Sequence, residues 1–419
     1  DRAARTPDRV ALRRKIDGNW EDISWRGYYE AATKVGRALR KAGLEDKQPV
    51  AILSETRAEW AFCDLGILCA GGITVPIYHS NLPDEVKYIL DDSEAAYMLV
   101  ENVDQWKKLH GILDQLDAIK LFVIFETGDT ESTKAADYPF PEGERVVTLD
   151  AFLEAGEGED LEAFEEIARG VEPDDVVTYI YTSGTTGPPK GVVLTQACAV
   201  AEAEALGDAV TLSEQDITLA FLPLAHVFAR ALHWTQLRCG YITAFAESIP
   251  KVMENMGEIQ PTFFAAVPRI YEKIHAAVLG KIKANTGFKL TYAEFALAAA
   301  MQRAEVSDAG ELPGLGLALK CAVGGPVIGK VADGLQSKTG GKIRFFISGG
   351  APLSREIAVF FKALGLSIFE GYGLTETTAA THINRPGAWR LGSVGKVVKG
   401  VEQKIAPDGE ILVRGPVVM

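Results

Sequence analysis

The stretch VAILSETRAEWAFCDLGILCAGGITVPI, Val50 to Ile77, reads as strand, helix, strand. Residues 50–53 and 73–77 are short, unbroken apolar runs, and residues 55–69 between them have helical spacing. Unbroken apolar runs suit strands covered on both faces, which is the condition of a parallel sheet. The pattern continues outward. Residues 96–100 and 121–125 read as further strands, with helices at 25–42, 83–91 and 103–116. It resumes with strands at 176–181, 218–222, 262–267 and 342–348 and helices at 291–306 and 355–364. Such alternation implies βαβ units, so an α/β fold class is expected. From residue 393 the runs become short and β-like (397–398, 401–405, 410–414), with the hairpin dipeptide Asp408-Gly409. The expected organisation is two parallel-sheet subdomains packed together, over 1–175 (its boundary interleaved with the next) and 176–390. The start of a small β-barrel-like subdomain follows over 391–419.

At 419 residues and 45.2 kDa the chain has room for two or three packed units. With 47% apolar and 24% charged residues it is neither a disordered chain nor a fibrous repeat. The five cysteines (Cys63, Cys69, Cys198, Cys239, Cys321) are odd in number and lack a CxxC spacing, so a reducing cytoplasm is expected. Residues 126–175 hold 17 acids against 3 bases, which accounts for the whole net charge of −14. The rest is balanced, so no nucleic-acid partner is expected. The charged N-terminus carries no secretory pattern. The best membrane-span candidate, residues 60–78, is interrupted by Asp64, Gly66, Gly71 and Gly72 and reads instead as a buried helix running into a strand.

The densest chemistry follows the strand at 176–180. Thr182, Ser183, Gly184, Thr185, Thr186 and Gly187 are six small residues in a row, followed by Pro188-Pro189 and Lys190. Small residues let backbone N–H groups approach an anion, their hydroxyls can donate to phosphate oxygens, and Lys190 adds a point charge. Glycines at 184, 187 and 191 do not fit the Walker spacing, so this is a phosphate loop of another kind.

Residues 181–191 resemble the signature loop of the adenylate-forming enzymes, a superfamily that includes acyl-CoA synthetases. Four further motifs of that family occur in order: Leu222-Pro-Leu-Ala-His226, Ser348-Gly349-Gly350-Ala351-Pro352, Gly371-Tyr372-Gly373-Leu374-Thr375-Glu376 and Gly409-Glu-Ile-Leu-Val-Arg-Gly415. The resemblance implies that residues 182–187 and Lys190 hold ATP phosphates. It also implies that Gly349, Gly350, Ala351 and Pro352 form the adenine wall, with Glu370 reaching the adenine amino group. Gly371, Tyr372 and Gly373 shape the turn, Tyr372 offers a flat face, and Thr375 donates to the α-phosphate. Glu376 with Thr185 would ligate Mg²⁺, and His226 would lie beside the reacting carboxylate. Catalytic roles thus fall on Lys190, His226, Thr375 and Glu376. The other five histidines share no metal-like spacing.

Residues 227–240 contain no acid to hold a substrate ammonium, which disfavours amino acids. Residues 261–273, 347–353 and 288–309 are similar to long-chain acyl-CoA synthetases. That resemblance implies conversion of a long-chain fatty acid to acyl-adenylate and then, with coenzyme A, to a thioester. Phe263, Phe264, Ala265 and Val267 either line the acyl tunnel or form a buried strand. Transfer to another acceptor, such as an acyl carrier protein, is the alternative reading. In the family a ribose-binding Asp, a hinge and a mobile C-terminal domain follow the last motif. The chain therefore reads as the N-terminal portion, expected to bind nucleotide and adenylate poorly alone. Oligomeric state and peripheral attachment to the inner face of a membrane stay open at this level.

Overall fold

A computed structural model describes residues 2–140, 145–182 and 187–419. A seven-stranded sheet runs in the order Val146–Thr148, Leu121–Ile124, Tyr97–Val100, Pro49–Leu53, Ile73–Ile77, Val176–Thr182, Lys190–Thr195. All pairings are parallel except the last. The helix Ala58–Cys69 crosses between Pro49–Leu53 and Ile73–Ile77, which pair with Ala51 opposite Val75. Every residue of Ile73–Ile77 is buried, as an unbroken apolar run in a covered sheet must be.

A second sheet of five strands orders Phe263–Ala266, Phe345–Ser348, Ile368–Tyr372, His382–Ile383 and Lys396–Val397. Its first three strands are parallel, with Ala266, Ser348 and Glu370 in one row. A third sheet joins Ile217–Ala220 and Ile242–Phe245 to the antiparallel hairpin Val10–Ile16 and Asn19–Ser24. Asp17 and Gly18 turn that hairpin with φ of 49° and 78°, as a tight two-residue connection requires. The N-terminal strand thus belongs to a sheet built from residues beyond 215, while Val176–Thr195 completes the sheet of the first half.

Within residues 391–419, Lys396–Val397 joins the five-stranded sheet and Glu402–Ile405 forms a hairpin with Ile411–Arg414, and no closed barrel forms among the described residues. Two four-residue strands with mostly exposed side chains cannot close on themselves. The segment at 60–78 is the buried helix and strand that its interruptions suggest. A helix that residue periodicity does not announce, Leu315–Lys338, is long and apolar enough to cross a membrane, yet its apolar window is only 6% buried. All five cysteines are free thiols.

One buried contact orients the helix that leads to the site. Arg230 on Val227–Cys239 is fully buried, 2.9 Å from Asp64 on Ala58–Cys69. Its guanidinium lies between the rings of Trp60 and Trp234, 4.9 and 5.1 Å from their centroids. A buried charge persists only when paired in this way. Gln236 Nε2 on the same helix donates to Ala11 O at 2.7 Å, fixing the helix to the N-terminal strand.

Candidate active site

The parallel strands Phe345–Ser348 and Ile368–Tyr372 end at a cavity of about 520 Å³. Crevices beyond the carboxyl ends of parallel strands are where α/β sheets bind ligands, and this volume suits a small molecule. Lining it are Thr182, Lys190, His226, Gly349, Gly350, Gly371, Tyr372, Gly373, Thr375 and Glu376, all candidates on sequence grounds. Segments nearly two hundred residues apart therefore meet on one space.

Thr182 and Lys190 sit opposite each other on antiparallel strands, and both line the cavity. Ser183, Gly184, Thr185 and Thr186 lie outside the described residues. Gly187, with φ of 100°, follows them and does not line the cavity. Gly191 faces the Tyr181 ring, which a Cβ there would meet at 3.2 Å. Tyr181 in turn donates to Asp92 Oδ2 at 2.7 Å.

The turn after Ile368–Tyr372 is held under strain. A Cβ on Gly373 would stand 1.4 Å from Ala379 O, so only glycine fits. Thr378 and Ala379 both have left-handed backbone, φ 55° and 102°. Non-glycine residues persist there only where the surroundings over-determine them. Here Thr378 Oγ1 donates to Val417 O at 2.6 Å, Thr381 N to Tyr372 O at 2.8 Å, and Met419 N to Glu376 O at 3.0 Å. Ala380 N donates to Glu202 Oε1 at 2.7 Å. Glu202 is fully buried, and desolvation pushes its carboxyl well above the usual range. Sequence reasoning misses it, because a Glu in an alanine-rich helix carries no local signal.

His226 caps the helix Val227–Cys239, its Nδ1 accepting from Phe228 N at 3.1 Å. That bond requires an unprotonated Nδ1, so the neutral ring carries its proton on Nε2. Crowding by neighbouring atoms pushes the imidazole below its ordinary value, although the ring remains open to the cavity. Ser348 also lines the cavity, while its Oγ is buried and has no partner among the described residues. Gly349 leaves room beside the Phe228 ring, and Gly350 has φ of 81°. Ala351, Pro352 and Glu370 do not line the cavity. Glu370 is largely buried beneath the turn, and desolvation raises its carboxyl.

Phe263, Phe264, Ala265 and Val267 stand elsewhere. Phe263 packs on Tyr241 and Phe345 at 5.1 and 5.9 Å, and Phe264 packs on Phe221 at 5.3 Å. Both are fully buried. Ala265 is buried beside Phe263, and Val267 ends the strand against Gly350. None of the four lines the cavity. Its apolar lining is made by Leu206, Val210, Leu212, Val227 and Leu232, which by type are indistinguishable from core. No cluster of three metal-ligating side chains occurs among the described residues, and Glu376 is the carboxylate on the wall. A phosphate-bound Mg²⁺ takes only one or two protein oxygens, so this donor set fits. The cavity therefore brings Lys190, Thr375 and Glu376 together with aliphatic side chains, and His226 is on its wall.

The fold and the motifs agree with known proteins. The chain is 34% identical over 417 residues to the long-chain-fatty-acid–CoA ligase FadD15 of Mycobacterium tuberculosis, covering 98% of itself and 65% of that relative. It is 30% identical over 432 residues to the long-chain-fatty-acid–CoA ligase ACSBG2 of Xenopus laevis, covering 97% and 55%. The chain thus spans from just over half to about two-thirds of these relatives. Among solved structures, the anthranilate CoA ligase AuaEII in complex with anthranoyl-AMP superposes with a TM-score of 0.70 at 22% identity, over 99% of this chain and 68% of that one. The N-terminal domain of FACL13 from Mycobacterium tuberculosis gives 0.69 at 18% identity, over 100% and 87%. The AMP-binding enzyme family matches residues 1–419 throughout, and the chain belongs to that family.

Proposed function

We propose that this chain is the nucleotide- and acyl-binding portion of an AMP-forming ligase that activates a long-chain fatty acid and passes it to coenzyme A. The observation that carries the reading is one cavity lined both by the polar Lys190, Thr375 and Glu376 and by the aliphatic Leu206, Val210 and Leu212, with His226 also on its wall. Relatives at 34% and 30% identity are named as long-chain-fatty-acid–CoA ligases, which supports the same substrate class.

In the first step a carboxylate oxygen attacks the α-phosphorus of ATP, and the bond to the bridging oxygen breaks to release pyrophosphate. In the second, the coenzyme A thiolate attacks the acyl carbon and AMP leaves with the bond electrons. Neither step needs a protein nucleophile, so alignment and charge neutralisation carry the catalysis. Lys190 and the hydroxyls of Thr182, Ser183, Thr185 and Thr186 hold the phosphates. Glu376 would hold a Mg²⁺ that offsets phosphate charge, and Thr375 donates to the α-phosphate. His226, neutral with a proton on Nε2, donates to the incoming carboxylate and orients it. Free thiols throughout accord with a reducing compartment.

The test is pyrophosphate release with ATP, Mg²⁺ and fatty acids of graded length, with amino acids as controls. Release that peaks with long chains and turns over faster with coenzyme A is expected. Release indifferent to coenzyme A would assign another acceptor, and no release with any acid would overturn the reading.

A further inference from the structure

A second and larger space lies away from the nucleotide cavity. It is a groove of about 1210 Å³ between the helices Val252–Ile259, Pro268–Lys283, Phe288–Asp308 and Leu315–Lys338. Its walls are aliphatic, including Met253, Ile270, Ile274, Val278, Val327 and Val331. Its rim is not. Lys273, Lys281, Lys289, Lys330 and Lys338 all line it, all are exposed, and none makes an ion pair among the described residues. The one acid on the groove, Glu254, is paired with Lys251 at 2.7 Å. Lys338 stands close enough to Lys281 to push its ammonium below the usual range. Two ammonium groups facing each other with no carboxylate between them mark a place for an anion. Residues 268–338 hold nine bases against six acids, in a chain whose net charge is −14.

The apolar surface continues outside the groove. Leu312 is 93% exposed, Leu315 91% and Phe288 82%. Leu315, Leu319 and Val323 follow at four-residue spacing on one outward stripe of their helix. The opposite face is pinned to Phe288–Asp308, with Gly324 so close that a Cβ would meet Ala296 Cα at 2.8 Å, and Cys321 Sγ donating to Ala299 O at 3.4 Å. The helix also carries Lys330, Asp333 and Lys338, so it is suited to lie on a bilayer rather than cross it. A single acyl chain in the groove would leave Leu312, Leu315 and Phe288 in water. A bilayer covers the groove rim and the stripe together.

We propose that the lysine-rimmed groove and the Leu315–Val323 stripe form a docking surface for an anionic lipid bilayer. Apolar side chains enter the headgroup boundary while the five lysines meet lipid phosphates. Vesicle binding needs no nucleotide and no acyl substrate, so its outcome is separate from that of the ligase reading.

The test is sedimentation of the full chain with vesicles of phosphatidylcholine alone or mixed with phosphatidylglycerol. Binding to the mixed vesicles, weakened by added salt, is expected. Each lysine near an anionic surface contributes about fivefold in partitioning, so K281A with K338A should lower it about 25-fold. Leu315→Ser with Leu319→Ser should lower it as well. These side chains are exposed, so thermal unfolding should not change, and that measurement excludes misfolding as the cause. Equal binding to both vesicle types, or binding indifferent to the lysine substitutions, overturns the proposal. So does absence of vesicle binding, whether from a dimer that the two serine substitutions dissolve or from a groove that takes only monomeric fatty acid.

Discussion

Glu202 sits fully buried on the helix Gln196–Val210, one oxygen accepting from Ala380 N and the other without a partner among the described residues. Desolvation is the dominant cause of its raised pKa, so burial favours the neutral acid, whose carbonyl oxygen still accepts. That acceptor anchors the left-handed Thr378–Ala379 turn which carries Thr375 and Glu376 to the cavity. An amide keeps the accepting oxygen, so Glu202→Gln should leave stability and ATP affinity nearly unchanged. Glu202→Leu leaves the buried Ala380 N–H without a partner and should cost about 1–3 kcal/mol, with weaker ATP binding. Urea unfolding and a nucleotide titration on both variants decide the matter. Equal damage from Gln and Leu would mean that the charge, and not the acceptor, is what the turn needs.

The helix Val227–Cys239 joins the core to the site, with His226 at its N-terminus and Arg230, His233 and Gln236 on its buried side. Burial pushes His233 down to about 4 from an ordinary 6.5. The fold therefore holds it neutral while the unfolded chain protonates it. Its contribution to stability is complete above the ordinary value and is lost as pH falls toward 4. At 1.36 kcal/mol per pH unit the full loss is about 3 kcal/mol. Glu202 and Glu370, both raised, act in the opposite sense, so the clean observable is the difference between this protein and His233→Gln. The variant should lose less stability on acidification, and parallel losses would refute a neutral buried His233.

Elements with one dominant signal are legible from residue type and spacing alone. The strands at 50–53 and 73–77 are apolar on both faces because they are covered on both faces. The hairpin Val10–Ile16 with Asn19–Ser24 is not legible, because Arg13, Arg14 and Lys15 make it look like a solvated terminus. In the fold Arg13 pairs with Asp22 at 2.6 Å, Arg14 with Glu59 at 2.6 Å and Lys15 with Glu258 at 2.8 Å. Those acids come from three separate places in the chain. The helix Leu315–Lys338 is hidden by its glycines and by Pro326, residues of low helix propensity that tertiary packing overrides. At the site the polar lining is legible because phosphate and metal chemistry demand particular residue types at particular spacings. The apolar lining is not, since Leu206 and Val210 satisfy the periodicity of any core helix.

At the scale of the molecule, the chain does not fold as beads in sequence order. Val10–Ile16 pairs with Ile242–Phe245, and Ile73–Ile77 pairs with Val176–Thr182. We therefore infer that the boundary near residue 175 separates neither sheets nor folding units. Cutting there would remove Val176–Thr182 and Lys190–Thr195 from the seven-stranded sheet and expose Ile73–Ile77 as an edge whose five side chains are all buried in the intact chain. It would also leave Arg230 buried without Asp64, and breaking such a pair costs about 3–5 kcal/mol. Either loss is comparable with the whole stability of a domain. Residues 1–175 and 176–419 produced separately should therefore be unfolded or aggregated by circular dichroism and limited proteolysis, and the two together should recover a protease-resistant core. The intact chain should unfold with its two halves in one transition. A stable, cooperatively melting 1–175 fragment would show that the shared strands are trimmings on an independent first domain.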